Sequence, residues 1–511
     1  MSEEGATLPS GRIARIWGAT VGPIWSGVAG HLGEVARGER YHRLRMILLA
    51  GLLARLVLAP LTSWSIDTNT FVESGIATVY TGNPYAGGLW YNPPLGPYLS
   101  IPSMAAAVLV AGPNHLFHPV PGMIALSIRE GYPTVLPTPL ALLAWKLPLL
   151  LADVVMAIAL DWALRFRVPG LAPEVGASLW YLNPLVIWAV AVHGEVDGVA
   201  ACLVVLALLS IACGRWFPAG LSIALAFFTK GYPLVLVPLV LVWVAFSALG
   251  GPARARPIAR RLGWLAAGAA VGTVPFLAFL MTTFGQLTAR ANVGLYGALS
   301  VTVIFNPGVP KGIGPYHAFT TNLANAAAMV DVFLGMAVLG VVAGSAILAR
   351  RLLRRRPSDP PELSTAALVG AWALAGVLIA DPIPNAENVL ALLPFLVLAV
   401  PKLPFEWTGR LTTGVSIAGV FQYFSLVTPA VFFYPAAAAI GPGAVGAITN
   451  AAIDYLDVPG LRGFLWLLVG LIGGTFLLAS WFASGWFLMP ASLRHRLRHP
   501  RGGGPRDATD D

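Results

Sequence analysis

The chain has 511 residues, of which 57% are apolar and only 11% are charged, and its mean hydropathy is +0.74. Soluble domains carry about 25% charged residues. A soluble fold would therefore lack the polar surface to cover a core this apolar, and the composition predicts a polytopic membrane protein. The net charge of +9 does not indicate a nucleic-acid binder, because the basic residues cluster in short loops between apolar runs, as cytoplasmic loops of membrane proteins do.

The N-terminal third predicts two spans separated by a long external loop. Residues 1–44 are polar and rich in arginine, which indicates a cytoplasmic basic tail. The first span is predicted over 45–63 and the next over 139–163, where a basic end marks the cytoplasmic side. Residues 64–138 then form an external loop, and its apolar segment 95–111 is predicted to be a helix on or dipping into the outer membrane face.

The rest of the chain alternates apolar runs with short polar loops, which predicts an all-α protein of about twelve spans with both termini inside. Segment 218–248 is predicted to be a hairpin of two short helices with Lys230 at its outer tip. The other predicted spans are 174–192, 199–213, 262–283, 323–349, 364–380, 389–401, 411–430 and 461–489. We divide the chain into a catalytic module over 45–401, additional helices over 402–489, and a basic, disordered cytoplasmic tail over 490–511.

Two cysteines, Cys202 and Cys213, lie in or at the end of one apolar run. They are predicted to be small buried residues rather than a disulfide or a metal pair.

Ionisable residues at the outward ends of spans are the candidates for chemistry, since charge near the apolar slab is costly. Asp67 follows the first span in the stretch Trp64–Phe71 and is the best candidate for a general base. The alternatives are a solvated loop acid, or a cap for a helix that starts near Thr70.

The segment His193–Gly198 carries three ionisable groups within five residues, His193, Glu195 and Asp197. They are predicted to bind the acceptor or the sugar. The alternative is a polar turn that satisfies helix ends. A shared metal ion is disfavoured, because adjacent residues of a tight turn cannot easily all face one ion.

Three more residues are candidates by position. Lys230 and Arg290 are scarce external cations that could hold a phosphate. Lys230 could instead be a lysine whose head reaches the membrane interface, and Arg290 could instead be a surface arginine. Glu387 stands where a span begins, and it is either a ligand for acceptor or sugar or part of the cap of the following helix.

Four short motifs keep a fixed order along residues 45–400. The first motif is the acid Asp67 after the first span, and the second is Gly82-Asn-Pro-Tyr85 together with Tyr91-Asn-Pro-Pro-Leu95. The third is Trp180-Tyr-Leu-Asn-Pro-Leu185, and the fourth is Phe228-Thr-Lys-Gly-Tyr-Pro233. In this order and topology the chain resembles the GT-C glycosyltransferases that use polyprenyl-phosphate sugars, with the closest likeness to the GPI mannosyltransferase I-like family. That family carries a pair of acids where this chain has Ser65 and Asp67.

The resemblance implies a GT-C fold and transfer of a hexose, mannose in that family, to a lipid- or protein-linked glycan acceptor on the external face. It implies Asp67 as base, Lys230 and Arg290 at the donor phosphate, and no nucleic-acid partner. With one acid in place of two, no metal cofactor is expected, although a divalent metal is not excluded. The location would be the plasma membrane in a prokaryote. The rival class is a transporter or glycolipid flippase, which would place ionisable groups at mid-membrane in paired repeats.

Overall fold

The computed structural model describes residues 31, 33–35, 37–38, 41–86, 92–130, 133–168, 172–246, 255–282, 323–354, 363–380, 386–426 and 428–498. These residues are helical apart from short connections and one two-stranded sheet. The helices of the first half are α1 His42–Leu61, α2 Ser65–Thr81, α3 Leu95–Ala111, α4 Ile124–Glu130, α5 Pro139–Phe166, α6 Pro173–Tyr181, α7 Pro184–Ile187, α8 Asp197–Ala212, α9 Trp216–Phe227 and α10 Val237–Phe246.

The second half continues with the same short-loop pattern. Its helices are α11 Ala255–Thr273, α12 Leu277–Thr282, α13 Leu323–Arg354, α14 Leu363–Ala380, α15 Leu393–Leu398, α16 Phe405–Leu426, α17 Tyr434–Ile440, α18 Pro442–Asp457, α19 Leu461–Leu488 and α20 Ala491–Arg498. Single 3₁₀ turns precede several of them, among these Tyr232–Leu236 before α10 and Ala386–Ala391 before α15.

The prediction of an all-α membrane protein is confirmed at the level of helix content and apolar length. Among the described residues, five helices are long and apolar enough to cross a membrane, or up to seven if each of two bent pairs is one span. Shorter apolar helices of 10–17 residues make up the remaining predicted spans, α8 and α14 among them. The finer prediction of about twelve spans therefore stays a proposal.

Within the predicted external loop 64–138, the described residues form helices α2, α3 and α4 and a two-stranded sheet. Segment 95–111 is helical, as predicted, and forms α3. Strands β1, Phe117–Pro119, and β2, Val135–Pro137, pair antiparallel with His118 opposite Leu136. The amide Nδ2 of Asn69 donates to the carbonyl oxygen of Val135 over 2.5 Å, which fastens α2 to the sheet.

Helix α5 runs through the middle of the protein and is buried over most of its length. Thr138 caps its first turn by accepting a hydrogen bond from the backbone N–H of Ala141, and Pro139 stands at its first position, where no backbone donor is needed. Inside the core, Asp153 of α5 forms a fully buried ion pair with Arg55 of α1, 2.5 Å between Oδ2 and Nη2. Trp180 of α6 donates to the other oxygen of Asp153. This network joins α1, α5 and α6.

One prediction for the termini needs correction. The region 490–511 is predicted to be disordered, but it begins with helix α20, in which Arg494 stacks over Phe487. Near the other end of the chain, His31 is buried, with Nε2 2.8 Å from Oδ2 of Asp161 on α5. This contact joins the described part of the N-terminal segment to α5.

Candidate functional site

Asp67 lies in the first turn of α2, which begins at Ser65. The alternative that Asp67 caps a helix starting near Thr70 is therefore wrong. Its Oδ2 atom lies 3.0 Å from Nε2 of His193, which is 126 positions further along the chain. The Asp67 side chain is 27% exposed, whereas that of His193 is 4% exposed. The carboxylate thus stands at the rim of a buried polar cluster.

The turn that carries His193, Glu195 and Asp197 follows a broken helix. Asn183 caps α7 by accepting from the N–H of Leu185, and Pro184 follows it, so the chain bends by 44° between α6 and the segment Pro184–His193. The segment Trp188–His193 is a π-helix, a wide turn that often occurs at functional sites. Residue type alone does not predict this widening.

Gly194 ends the π-helix in the left-handed conformation, with φ of 89°, which favours glycine. A Cβ atom at Gly194 would lie 3.1 Å from Cε of Lys146 and 3.3 Å from the Trp145 ring. The backbone N–H groups of both Gly194 and Glu195 donate to the carbonyl oxygen of Ala189, each over 2.9 Å. This tight reversal turns His193 and Glu195 toward the same space.

Glu195 and Asp197 face different partners. Glu195 Oε1 lies 3.5 Å from Nε2 of His193, and its Oε2 lies 3.7 Å from Nζ of Lys230. Asp197 Oδ2 lies 2.9 Å from the same Nζ atom. Burial raises the pKa of Glu195 above its ordinary value, although Lys230 and His193 act in the opposite direction.

Lys230 lies at the break between α9 and the turn before α10, where its backbone N–H still bonds to Ala226. The predicted interruption of segment 218–248 at this lysine is confirmed. Burial disfavours the ammonium, but Asp197 and Glu195 outweigh that effect and raise the pKa of Lys230. Lys230 is therefore a charged partner of two acids rather than a side chain reaching for the interface.

Glu387 joins the cluster through a tyrosine. It is 7% exposed and lies in the first turn of the 3₁₀ segment Ala386–Ala391. Tyr423 of α16 donates its hydroxyl proton to Oε2 of Glu387 over 3.1 Å, and the same hydroxyl oxygen lies 3.2 Å from Nδ1 of His193. A continuous chain of polar contacts thus runs from Asp67 through His193 and Tyr423 to Glu387.

Lys146 holds the backbone behind the site. Its Nζ atom, fully buried on α5, lies 3.0 Å from the carbonyl oxygen of Ala59, 2.6 Å from that of Thr62, and 2.9 Å from those of Ala191 and Val192. Both pairs of carbonyls end helical segments, where backbone acceptors have no partner within the helix. One lysine side chain therefore caps α1 just before Asp67 and the π-helix just before His193.

Further contacts lock these two segments together. The hydroxyl of Thr68 donates to the carbonyl oxygen of His193 over 3.0 Å, and the indole of Trp145 donates to that of Gly194 over 2.9 Å. The ring of Phe71 stacks between Trp145 and His193, with centroids 5.5 and 6.2 Å away. The geometry of Asp67 and His193 is consequently set by backbone contacts on both sides.

Asp67, His193 and Glu195 could hold a metal ion, because one ligand atom from each lies within 4.8 Å of the other two. The three ionisable groups of the turn do not all face one point, because Asp197 turns to Lys230. His193 lies near both Glu195 and Asp67, since the left-handed Gly194 separates His193 from Glu195.

The structure brings together six of the seven residues predicted from sequence, namely Asp67, His193, Glu195, Asp197, Lys230 and Glu387. Arg290 lies outside the described residues. Lys146 and Tyr423 also belong to the site, although neither is among the residues predicted from sequence. Lys146 had a signal, since a lysine within a predicted span marks a site by default. Tyr423 had none, because a tyrosine in an apolar run is ordinary core.

No protein-family model, no curated protein sequence and no solved structure matches this chain.

Proposed function

We propose that the protein is a glycosyltransferase of the GT-C type that moves a hexose from a polyprenyl-phosphate donor to a lipid- or protein-linked glycan acceptor. Mannose is the first sugar to test, because the sequence motifs resemble those of the GPI mannosyltransferase I-like family. The predicted twelve spans, cytoplasmic termini and external site belong to this proposal.

One observation carries the proposal. The motif order assigns base, sugar and phosphate roles to residues from separate segments of the chain. The residues of this set that the structure describes form one contiguous cluster. A chance set of loop acids would have no reason to converge. The ionic groups also meet at the ends of helices rather than along a bundle interior, where transporters bind their substrates.

The exposure of the side chains suggests how transfer would proceed. Asp67 is the most exposed acid of the cluster at 27%, and Lys230 is 18% exposed, whereas Glu195 and Asp197 are buried. An acceptor hydroxyl would reach Asp67, which takes its proton as the oxygen bonds to the anomeric carbon. The bond from that carbon to the phosphate oxygen breaks, and the polyprenyl phosphate leaves with the electron pair.

Lys230 would stabilise the departing phosphate. An ammonium carries three N–H donors, and Asp197 and Glu195 take up two directions at 2.9 and 3.7 Å. One donor remains for a phosphate oxygen. Arg290 would supply a second cation, whose planar guanidinium can bind two phosphate oxygens at once.

The test is sugar transfer by the purified full-length chain in lipid. Radiolabelled polyprenyl-phosphate mannose, and in parallel the glucose donor, would be incubated with a glycolipid extract as acceptor. We expect label on a glycan acceptor from one donor, lost in Asp67→Asn. Movement of an unchanged labelled glycolipid between bilayer leaflets, without a new glycosidic bond, would instead establish a flippase and overturn the transferase.

A further inference from the structure

We propose that Asp67, His193 and Glu195 bind one divalent metal ion of the Mn²⁺ or Zn²⁺ type. The ion would occupy the space between the two carboxylates and Nε2 of the imidazole. This inference concerns the site of the proposed transferase, but ion binding does not depend on that activity.

The distances between the ligand atoms suit a single ion. Nε2 of His193 lies 3.0 Å from Oδ2 of Asp67 and 3.5 Å from Oε1 of Glu195. Oxygen and nitrogen ligands about 2.0–2.2 Å from one ion are separated from their neighbours by roughly 3–3.5 Å. The three side chains therefore need only small rotations to become ligands. They also leave coordination positions open toward the exposed side of Asp67.

The contacts of His193 leave its Nε2 atom facing the two carboxylates. Tyr423 donates its hydroxyl proton to Glu387 over 3.1 Å, and the same hydroxyl oxygen lies 3.2 Å from Nδ1 of His193. That oxygen can accept a hydrogen bond from Nδ1, which leaves Nε2 available as a ligand. Metal-binding histidines are oriented in this way by a partner on the other ring nitrogen.

The cluster holds more acids than lysines. Among the described residues, its four acids are Asp67, Glu195, Asp197 and Glu387, and its one lysine is Lys230. Oδ1 of the buried Asp197 accepts no hydrogen bond, and Oε2 of Glu195, which accepts none either, lies 3.7 Å from Nζ of Lys230. Buried acids that lack close partners are costly, so a cation beside Glu195 would stabilise the cluster.

The ligand types narrow the choice of ion. Carboxylate oxygens alone suit Mg²⁺ and Ca²⁺, but an imidazole nitrogen favours a first-row transition metal or Zn²⁺. An ion of this class would polarise a phosphate oxygen bound beside it. Asp67 would keep its second oxygen for an acceptor hydroxyl.

The experiment measures ion binding without any sugar donor. The full-length chain, stripped with EDTA and exchanged into chelator-free buffer, is titrated with Mn²⁺ while the electron paramagnetic resonance signal of the free aqueous ion is recorded. We expect one Mn²⁺ per chain, displaced by Zn²⁺ and little affected by Mg²⁺. Glu195→Gln and His193→Ala should each weaken the affinity about tenfold or more.

The matched control is Glu73→Gln, a half-buried acid on the same helix as Asp67. Its Mn²⁺ affinity should equal that of the wild type. If the ligand variants unfold, the Mn²⁺ affinity of Tyr423→Phe tests the proposal instead. This variant keeps the aromatic ring but removes the hydroxyl that contacts Nδ1 of His193. A loss of about 10–100-fold is expected there. Wild-type affinity in Tyr423→Phe, which would place the ion away from His193, or no saturable binding by the wild type, overturns the proposal.

The results of the binding and transfer experiments distinguish failure of the metal site from failure of the proposed transferase function. Sugar transfer that persists in EDTA, with no bound Mn²⁺, would overturn the metal site and leave the transferase standing. One bound Mn²⁺ that depends on Glu195, in a chain that transfers no sugar, would support the metal site and overturn the transferase.

Discussion

The Nζ atom of Lys146 lies 2.9 Å from the carbonyl oxygen of Val192, the residue directly before His193. The same atom reaches the end of α1 just before Asp67, so one buried side chain positions both partners of the 3.0 Å contact between Asp67 and His193. A polar group this deep needs partners, and four backbone carbonyl oxygens lie within 3.0 Å of it.

Lys146→Met keeps the length of the side chain but removes its donors. Four carbonyl oxygens then lose their contact with Nζ, and each buried polar group left unsatisfied costs about 1–3 kcal/mol. We expect a lower melting temperature in detergent and a reduced kcat, since Asp67 and His193 lose their common support. The control is Leu147→Met, a partly exposed neighbour on α5, which should behave as wild type. Melting of Lys146→Met at the wild-type temperature would contradict this role.

Asp67→Asn preserves the shape and the contact with His193 but removes the proton acceptor. Loss of a general base lowers rates typically by about 10²–10⁴-fold, and kcat for sugar transfer should fall by that factor at equal expression. Glu73→Gln is the comparison, because Glu73 lies on the same helix, is half-buried, and has its pKa raised by burial. Equal losses in both variants would show that the acids of α2 matter only for stability.

Lys230 has two possible tasks, to neutralise Asp197 and to hold the donor phosphate, and a double-mutant cycle separates them. Lys230→Met alone leaves two buried acids without a cation, and Asp197→Asn removes one of them. In the double variant we expect folding to recover but catalytic efficiency for the donor to stay about tenfold to a hundredfold below that of the wild type, as for a lost charged contact. Full recovery of donor use would limit Lys230 to neutralising Asp197.

The predicted topology is tested by cysteine labelling in intact cells. Tyr80 on α2 is 59% exposed, and Arg354 at the end of α13 is also exposed. With Cys213→Ser as the background, an impermeant thiol reagent should label Tyr80→Cys but not Arg354→Cys until the membrane is opened. The reverse pattern would place Asp67 on the cytoplasmic side.

The sequence predicts helices well where apolar runs are long or end in clear breaks. Segment 95–111 is helical over the predicted range, and the chain is interrupted at Lys230 as expected. The predicted span 174–192 is instead bent by 44° at Asn183-Pro184. These signals are local, since they depend on side-chain hydropathy and on proline. The helical start of the predicted disordered tail was missed because its stability comes from contacts with the preceding helix, such as Arg494 on Phe487.

The candidate site was predictable as a set of residues but not as an arrangement. Charge at span ends marks Asp67, Glu195 and Lys230 one by one. Which acid faces which cation depends on the π-helix and on the left-handed Gly194, and neither follows from residue type alone. The link through Tyr423 depends on how α16 packs against the turn, which is a long-range property.

The order of the site residues along the sequence has a consequence for the biosynthesis of the protein. A chain is made from its N-terminus, so Asp67 is delivered first, then the turn His193–Asp197, and Lys230 soon afterwards. Lys230 is thus available to neutralise Asp197 and Glu195 while the later helices are still on the ribosome. Glu387 and Tyr423 arrive last and add their charge and hydroxyl to acids that already have a counter-ion. Damage to α16 should therefore leave a membrane-inserted protein whose final polar contacts never close.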